Sequence, residues 1–469
     1  MIQKGQVYQG VVTDIGADGE GIVKQDNFIV FVPYALVGEK IEYLVLKVSS
    51  KFAYGKLLDV LTPAEIRVRP KCSVFKKCGG CQLQHIKYAN QLKIKEENVY
   101  KCFSKIAGLD VSVSPAVKSS NEYGYRNKLQ LPVGSSENGA VIGFYANNSH
   151  RIVPIDSCPI NPEWTTTIIN CFKTYFAKNN IKGYNEVENK GDIREITVKE
   201  VDGNLIITVV SLNKTIPNVE NLIEILLGSL KCKFSLFINH NNKKTNVIYG
   251  EDFNLIYGDK EYSAEAFGIK YKIGVQSFMQ VNLDVCLKLY SSVKEYSEVT
   301  ENTTVIDAYS GAGLMTALLA TKAKKAYGIE IVKEAVNSAD ELAVNNGLSN
   351  KMTNILGKCE EILPDIIKME REKGADICLV LDPPRKGVGI EVVNAINESL
   401  PDKIIYVSCK PSTLARDIGL IVGSLENING EIKKVQNYTP RYSVEIVKPF
   451  DMFPQTKHVE TIVCLRRYN

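Results

Sequence analysis

Alternating apolar and polar positions dominate the first sixty residues of the chain. The runs GQVYQGVVTDIG, GIVKQDNFIVFVPYAL, KIEYLVLKVSS and YGKLLDVLTP are separated by Gly, Asp and Asn turns. Because side chains alternate between the two faces of a strand, this pattern predicts about five short strands over residues 5–60. Five strands in so short a segment fit a small closed barrel of the OB type, which either binds oligonucleotides or serves only as a packing module.

The middle of the chain changes from strand to helix spacing and back. Over residues 84–107 apolar positions recur at helical spacing with lysines between them, which predicts a basic amphipathic helix. β-Branched runs such as EITVKEVDGNLIITVVS and FSLFINHN follow over residues 120–265. With helices expected near 161–178 and 218–229, this part is predicted to be a β-rich α+β domain.

Beyond residue 270, short apolar runs that end in Asp, Glu or Cys alternate with helix-length segments. These runs are TTVIDAYSGAG, KAYGIEI, DICLVLDPP and KIIYVSC. The alternation is typical of an open parallel α/β sheet of the Rossmann-like class, in which ligands bind at the carboxyl ends of strands. We therefore predict a barrel at 1–62, a cysteine-containing segment with the basic helix at 63–119, a central domain at 120–265 and a Rossmann-like domain at 266–469.

Composition and charge narrow the class of protein. The chain has 469 residues, of which 45% are hydrophobic and 23% charged, the mix of a packed protein. It has no apolar stretch long enough to cross a bilayer and no export leader, so we expect a cytoplasmic protein without a membrane partner. Residues 61–130 hold 13 Lys and Arg against 5 acidic residues, a local charge of +8. Such a segment suits a polyanion partner, although a solvated helix face explains it equally well.

The segment VIDAYSGAG (305–313) is a candidate nucleotide-binding turn. It runs from a strand through Gly311 and Gly313 into a helix, and the next strand ends about twenty residues later in Glu330, placed to accept ribose hydroxyls. Thr316 stands where a dinucleotide motif has its third glycine, which favours S-adenosylmethionine (SAM) over NAD. The later strand end LDPPRKG, with Asp382 before two stiffening prolines, is typical of base methyltransferases. Another kind of nucleotide binder stays open at this point.

Two further residues have the chemistry of a nucleophile and a base. Cys409 lies at the end of the following strand, at the same edge of the sheet. Lys410 and Arg416 are expected to lower the pKa of its thiol, although most lone cysteines are only small buried side chains. Glu460 lies at the start of the last predicted strand, directly after a Pro-containing turn. Without further context, the simplest interpretation of this residue is an exposed carboxylate on a strand.

Five motifs together resemble the RNA uracil-5-methyltransferases, most closely those that act on 23S ribosomal RNA. They are SFMQVN (277–282), DAYSGAG (307–313), LDPPRKG (381–387), SCKPSTLARD (408–417) and DMFPQTKHVE (451–460). The N-terminal barrel resembles the TRAM domain of the same family, so the resemblance covers the whole chain. Ala308 and Ser310 replace the Leu and Cys of many relatives, while the glycines and Tyr309 remain.

The resemblance implies a mechanism and a set of site residues. It implies that Cys409 adds to carbon 6 of a uracil, that carbon 5 then takes the methyl group of SAM, and that Glu460 removes the carbon 5 proton. It also implies that four residues bind the cofactor: Gln280, Tyr309, Glu330 and Asp382.

Four cysteines form a candidate metal site. Cys72-x5-Cys78-x2-Cys81 is followed by Cys158 with 76 residues between. Four thiolates can hold zinc or a [4Fe–4S] cluster. Zinc sites usually have two C-x2-C pairs and radical enzymes have C-x3-C-x2-C, whereas the spacing found here resembles the iron–sulfur site of the family. The resemblance therefore favours a [4Fe–4S] cluster over zinc, with a structural role as the simplest one.

Three functions compete on the sequence. The first is 5-methyluridine formation in 23S ribosomal RNA by a monomer without an obligate protein partner. The others are the same reaction on transfer RNA, and a non-catalytic iron–sulfur RNA-binding factor. Cytosine-5 methylation is disfavoured, because such RNA enzymes typically have two cysteines in the site. Candidate RNA contacts interleave rings with charge and are Tyr123, Tyr125, Arg126, Lys128 and Phe278.

Overall fold

A closed five-stranded barrel forms the N-terminal part of the protein. The computed structural model describes residues 2–16, 19–25, 28–137 and 139–468. The barrel has the strand order β1-β2-β3-β5-β4. Its strands are β1 (Val7–Ile15), β2 (Gly21–Gln25), β3 (Phe28–Val32), β4 (Lys40–Val48) and β5 (Phe52–Thr62). The inward positions of the alternating pattern, Tyr43 among them, are buried in its core, so the predicted barrel is confirmed.

The predicted basic helix is α1 (Tyr88–Cys102), which continues as one π-helical turn over Phe103–Ala107. Its apolar side, including Val99 and Phe103, packs into the core of the C-terminal sheet domain. One of its lysines is not part of a solvated basic face. Lys95 is buried, and its Nζ lies 2.5 Å from Oδ1 of Asp451, which is also buried.

The central part is a seven-stranded sheet with the order β12-β11-β10-β9-β6-β7-β8. Its strands are β6 (Lys128–Ser136), β7 (Gly139–Tyr145), β8 (Ile152–Pro154), β9 (Ile193–Val201), β10 (Asn204–Ser211), β11 (Phe234–His240) and β12 (Asp252–Tyr257). Helices α2 (Trp164–Asn179) and α3 (Val219–Ser229) share one core with one face of this sheet. The other face packs on the hairpin β13 (Glu261–Ala266) and β14 (Ile269–Gly274). The predicted domain limit at 265/266 falls within this hairpin, and the domain limits stay predictions.

The C-terminal part is the predicted α/β sheet, with the order β17-β16-β15-β18-β19-β23-β22. Its first five strands are parallel, β23 runs antiparallel to them, and β22 pairs antiparallel with β23. They are β15 (Thr303–Ala308), β16 (Lys325–Glu330), β17 (Met352–Leu356), β18 (Asp376–Leu381), β19 (Lys403–Ser408), β22 (Tyr442–Phe450) and β23 (Glu460–Arg467). The helices are α4 (Leu283–Tyr296), α5 (Leu314–Ala320), α6 (Lys333–Asn345), α7 (Cys359–Glu372), α8 (Ile390–Ser399) and α9 (Pro411–Val422), and the hairpin β20 (Leu425–Ile428) and β21 (Glu431–Lys434) follows α9.

The strand order places a switch point between β15 and β18. From β15 the chain first moves outward to β16 and β17, and then returns to the other side for β18 and β19. The crossover helices diverge at such a point and leave a crevice at the carboxyl ends of the strands. The sheet therefore provides a ligand site beside Asp307 and Asp382, which lie at the ends of these two strands.

Replacing Lys95 by Met should destabilise the protein by about 3–5 kcal/mol, because the buried carboxylate of Asp451 then loses its charge partner. Lys101→Met on the same helix is the matched control. Lys101 pairs with Asp14 and Glu97 near the surface, and its loss should cost less than about 1 kcal/mol. Urea unfolding followed by circular dichroism measures both. Equal effects of the two substitutions would contradict the assignment, and Lys95→Met combined with Asp451→Leu should recover most of the loss.

Candidate functional site

One large cleft at the switch point brings together the predicted catalytic and cofactor-binding residues. Its volume is about 2180 Å³. It runs from the carboxyl ends of the C-terminal sheet to the central domain, where Arg126, Lys128 and Phe253 line it. The sequence-predicted residues on its wall are Gln280, Tyr309, Glu330, Asp382, Cys409 and Glu460.

The glycine turn after β15 is held by Glu330 at the end of β16. Oε2 of Glu330 accepts a hydrogen bond from the amide of Gly311 at 3.0 Å, and Oε1 accepts from the amides of Ile331 and Val332. Tyr309 has a φ of 68° and Gly313 a φ of 81°. A Cβ on Gly313 would lie 2.7 Å from the Cβ of Ala339, so only glycine fits there. The turn is thus preorganised, with a carboxylate beside it that has lone pairs left for a ligand.

The loop that carries Gln280 is held by a lysine from the central sheet. Nζ of Lys199, on β9, donates to the carbonyl oxygens of Val275 at 2.7 Å and Ser277 at 2.6 Å. Lys199 is buried, and burial lowers its pKa to about 7. Its hydrogen bonds fix the start of the SFMQVN motif, so Gln280 reaches the cleft from a rigid loop. The exposed ring of Phe278 lies on the same loop and lines the cleft.

The nucleophile and base candidates lie side by side on the cleft wall, because Ser408 at the end of β19 pairs with Thr461 near the start of β23. Cys409 is half-buried between β19 and α9, and Glu460 is buried at the first position of β23. Burial raises the pKa of the Cys409 thiol, and the carboxylates of Glu460 and Asp382 raise it further. Arg385 opposes this, because its guanidinium lies near enough to the thiol for the positive charge to favour the thiolate.

The expectation that Lys410 and Arg416 lower the pKa of the Cys409 thiol is wrong. Arg416 points away from the thiol, and its guanidinium pairs with Asp417 at 2.5 Å and donates to the carbonyl oxygen of Lys386. The cation at the thiol is Arg385, from the LDPPRKG motif, and the net pKa shift is upward. The residues next to Cys409 in sequence predict a downward pKa shift of its thiol. The shift is upward instead, because burial and carboxylates from distant strands have the larger effect.

The protein around the cleft raises the pKa of three carboxyl groups. Burial, followed by the charge of Asp382, raises the pKa of Glu460 to about 8. The surrounding protein raises the pKa of Asp382 to about 6, although this side chain is open to the cleft. Burial raises the pKa of Asp307 to about 7, and its Oδ2 accepts a hydrogen bond from Thr316 at 2.6 Å. Glu460 therefore has the basicity of a group that takes up a proton near neutral pH.

Helix α9 holds the loop that presents Arg385, a contact that the sequence does not reveal. Thr413 Oγ1 donates to the carbonyl oxygen of Arg385 at 3.2 Å. Oδ2 of the buried Asp417 accepts from the amide of Val388 and from the hydroxyl of Tyr406. The SCKPSTLARD motif thus supplies both Cys409 and the residues that fix the loop opposite it. The paired occurrence of the two motifs is the one signal in the sequence that points to this contact.

The four predicted metal ligands lie together outside the cleft. Cys72, Cys78 and Cys158 each raise the pKa of the Cys81 thiol, which burial brings to about 12. Among residues 2–16, 19–25, 28–137 and 139–468, however, no three His, Cys, Asp or Glu side chains are grouped so as to hold a metal ion. The thiols are neighbours, but they do not form a ready site for one ion, and the predicted cluster stays a prediction.

Two of the five predicted RNA contacts have other roles. Tyr125 is buried, and its hydroxyl donates to the carbonyl oxygen of Pro454. Tyr123 lies under the ammonium group of Lys71, 4.3 Å from the ring centroid. Arg126, Lys128 and Phe278 do line the cleft. Within the described part of the chain, no helix is long and apolar enough to span a membrane.

Comparison with known proteins agrees with this architecture. The chain is 39% identical over 472 residues to an uncharacterized RNA methyltransferase of Clostridium acetobutylicum, a match that covers 99% of this chain and 98% of the relative. It is 36% identical over 469 residues to an uncharacterized RNA methyltransferase of Bacillus cereus, covering 99% of this chain and 98% of that protein.

A solved structure has a similar fold over almost the whole length. It is the tRNA (uracil-54, C5)-methyltransferase of Pyrococcus abyssi in complex with S-adenosyl-L-homocysteine. The TM-score is 0.74 at 24% identity, and the match covers 98% of this chain and 100% of that one.

Family models account for both ends of the chain. The TRAM domain model matches residues 3–58, which contain most of the barrel. The model of tRNA (uracil-5-)-methyltransferases matches residues 87–468, from the start of α1 to the end of the C-terminal sheet. The chain therefore belongs to the tRNA (uracil-5-)-methyltransferase family and carries an N-terminal TRAM domain.

Proposed function

We propose that the protein transfers the methyl group of SAM to carbon 5 of a uridine in 23S ribosomal RNA. The observation that carries the reaction type is the meeting of Cys409, Arg385 and Glu460 in one cleft beside the glycine turn. A thiol and a separate basic carboxylate are what methylation of a uracil carbon requires, because that carbon is a poor nucleophile until a group adds to carbon 6. Family membership supports the same reaction.

Residues of the cleft fit SAM. Glu330 ends the strand next to the glycine turn, where a carboxylate accepts ribose hydroxyls, and Gln280, Tyr309 and Asp382 lie around the same space. When bound, SAM supplies an electrophilic methyl group. The chain's part is to hold it beside carbon 5 of the base and to keep bulk water out of the closed cleft.

The covalent steps divide between Cys409 and Glu460. The thiolate of Cys409 adds to carbon 6, and the electron pair of the 5,6 double bond moves into an enolate that makes carbon 5 nucleophilic. Carbon 5 then forms its bond to the methyl group as the bond between that methyl group and the sulfur of SAM breaks, and the electron pair stays on the sulfur of the departing S-adenosylhomocysteine. Glu460 takes the carbon 5 proton, the electron pair re-forms the double bond, and the thiolate of Cys409 leaves. Arg385 stabilises the thiolate before addition and after expulsion, which offsets the upward shift in the pKa of the Cys409 thiol caused by burial.

Two RNA classes compete as substrate. The resemblance of the cysteine spacing and motifs to 23S ribosomal RNA enzymes supports ribosomal RNA. The barrel does not separate the two, because the Pyrococcus enzyme, which is named for transfer RNA, matches nearly the full length of this chain. The same reaction on transfer RNA is therefore the second candidate function. Arg126 and Lys128 on the cleft wall suit the phosphates of either RNA.

Labelled SAM should transfer its methyl group to protein-free 23S RNA and not to bulk transfer RNA, and nucleoside analysis should identify 5-methyluridine. Cys409→Ala should lower transfer at least about a thousandfold, because it removes the covalent step. Cys286→Ala, which replaces another cysteine on the cleft wall, is the control and should retain activity. Label in transfer RNA alone would identify transfer RNA as the substrate and would leave the proposed mechanism unchanged. Transfer by Cys409→Ala at the wild-type rate would contradict the mechanism.

Glu460→Gln should trap the methylated RNA on the protein, because Cys409 cannot leave until the carbon 5 proton is removed. The adduct should appear as a shifted band on a denaturing gel, and it should disappear in the double variant Glu460→Gln with Cys409→Ala. Glu445→Gln is a matched control, since Glu445 lies on the neighbouring strand β22 and pairs with Arg466. If Glu460→Gln releases RNA containing 5-methyluridine at the wild-type rate, Glu460 is not the base.

We also propose that Cys72, Cys78, Cys81 and Cys158 bind a [4Fe–4S] cluster. The four thiols lie near enough to influence one another electrostatically, and the backbone amide of Gly80 donates to the sulfur of Cys78 at 3.3 Å, as amides do around cluster sulfurs. Among the described residues, the side chain of Gln84 lies near the thiol of Cys81, and its buried Nε2 makes no hydrogen bond. The preference for a cluster over zinc rests on the spacing of the four cysteines, which resembles the iron–sulfur site of the family.

Protein purified without oxygen should be brown and contain about four iron and four sulfide per chain. Cys81→Ser should lose most of the visible absorbance. Cys232→Ser, which replaces a half-buried cysteine between α3 and β11, should keep it. Colourless protein with one bound zinc would assign the site to zinc, and colourless protein without metal would remove the site altogether.

A further inference from the structure

The loop between β22 and β23 leads directly to the proposed base. It covers residues 451–459, and Glu460 follows it as the first residue of β23, opposite Phe450 at the end of the strand ladder. The ring of Phe453 in this loop lines the cleft together with Glu460. The loop is nevertheless rich in buried polar groups: Asp451, Gln455 and Thr456 are each at most 3% exposed. Such groups need partners elsewhere in the protein.

Gln455 is the strained point of this loop. Its φ is 71°, in the left-handed region that a glutamine rarely adopts, and its side chain is buried. A strained residue persists only when its surroundings hold it in place, and such residues concentrate at functional sites. The contacts that hold Gln455 all come from residues far away in sequence.

The backbone of Gln455 is held by the segment between the cysteines and α1. Its carbonyl oxygen accepts from the amides of Gln82 at 3.2 Å and Leu83 at 3.0 Å. Its amide donates to Oε1 of Gln91 at 3.1 Å. Both hydrogen-bonding groups of this strained peptide unit are thus satisfied by residues 82–91.

Side chains repeat the same connection. Nε2 of Gln91 donates to Oε1 of Gln455 at 3.0 Å, and both side chains are 1% exposed. Oε1 of Gln82 accepts from the amide of Lys457 at 3.3 Å, while its Nε2 donates to the carbonyl oxygen of Gly79 at 2.8 Å. Gln82 therefore links the loop to the turn between Cys78 and Cys81. We call Gln82, Gln91 and Gln455 the glutamine anchor.

We propose that the glutamine anchor positions the loop 451–459, so that Gln82 and Gln91 act as positioning residues for removal of the carbon 5 proton by Glu460. The segment with Cys78 and Cys81 then has a mechanical role, since it fixes the middle of the loop, which the sheet holds only at its two ends. This proposal rests on the proposed role of Glu460. It assigns Gln82 and Gln91 an effect on the release of product rather than on cofactor binding or on addition of the thiol.

Two measurements test the anchor in the full-length protein. Hydrogen exchange reports on the amides of residues 451–457 without any substrate. Single-turnover assays with RNA tritiated at carbon 5 of uridine separate formation of the covalent adduct from release of tritium. The variants are Gln82→Ala, which removes one half-buried side chain, and Gln91→Leu, which keeps the buried volume. The control is Asn98→Ala, a half-buried amide on α1 three residues after Lys95.

Both anchor variants should exchange the amides of 451–457 about tenfold faster than the wild type, as loss of a hydrogen bond allows. The adduct should form within about twofold of the wild-type rate, and tritium release should slow by about ten- to a hundredfold, because a small displacement of a catalytic group has effects of this size. Asn98→Ala should change neither measurement. If the Gln91→Leu variant does not fold, the exchange and tritium-release measurements on Gln82→Ala alone test the proposal.

Three results would overturn the proposal. Unchanged exchange in both variants would show that the loop does not depend on the anchor. Faster exchange with unchanged tritium release would show that the anchor does not position the base. Equal slowing of adduct formation and release would indicate a general loss of the cleft. If the wild-type protein forms no adduct with any RNA, the proposed function itself fails, and the exchange data alone then show whether the anchor holds the loop.

Discussion

A buried ion pair between Lys95 and Asp451 joins two parts of the chain that are 356 residues apart, and the geometry of the cleft depends on it. Neither charge is tolerable alone in this environment, because each would lack both water and a partner. Nζ of Lys95 also donates to the carbonyl oxygen of Phe453. Helix α1 and the exit of β22 must therefore be in register before the last strand can place Glu460. Apolar packing of α1 on α9 alone would not fix the position of α1 relative to the end of β22.

The part of the cleft around Cys409 combines several acidic groups with the guanidinium of Arg385. Asp307, Asp382 and Glu460 all have a raised pKa, because the surrounding protein disfavours the charged form of each carboxyl group. Arg385 is the guanidinium that counters this environment at the thiol. Such a site favours groups that exchange protons near neutral pH over groups that are permanently ionised. In the proposed reaction, Glu460 is an acceptor of suitable basicity for the carbon 5 proton, and Arg385 provides a positive charge for the departing thiolate.

Sequence reasoning succeeds where a local pattern determines the outcome. The alternating barrel strands and the parallel strands that end in acidic residues are both present. Tyr309, Glu330, Asp382 and Cys409 share one cleft because parallel strands end at one edge of the sheet. It fails where contacts are distant. Lys95 is predicted to be solvated on a basic helix, because nothing in the helix shows that Asp451 covers it. Arg416 is assigned to the thiol instead of Arg385, since sequence proximity does not show that Asp417 holds Arg416. Tyr125 is predicted to contact RNA, but it packs under Pro454.

The separation between the partners of the glutamine anchor has a consequence for synthesis of the protein. Gln91 and Gln455 are 364 residues apart, so at about 5–20 residues per second a ribosome needs roughly 20 to 70 seconds to make the second after the first. Throughout that interval the buried face of α1 has polar groups without partners, while the barrel and the central sheet can already fold. The nascent chain is thus able to fold its barrel and central sheet well before the loop 451–459 has all of its partners.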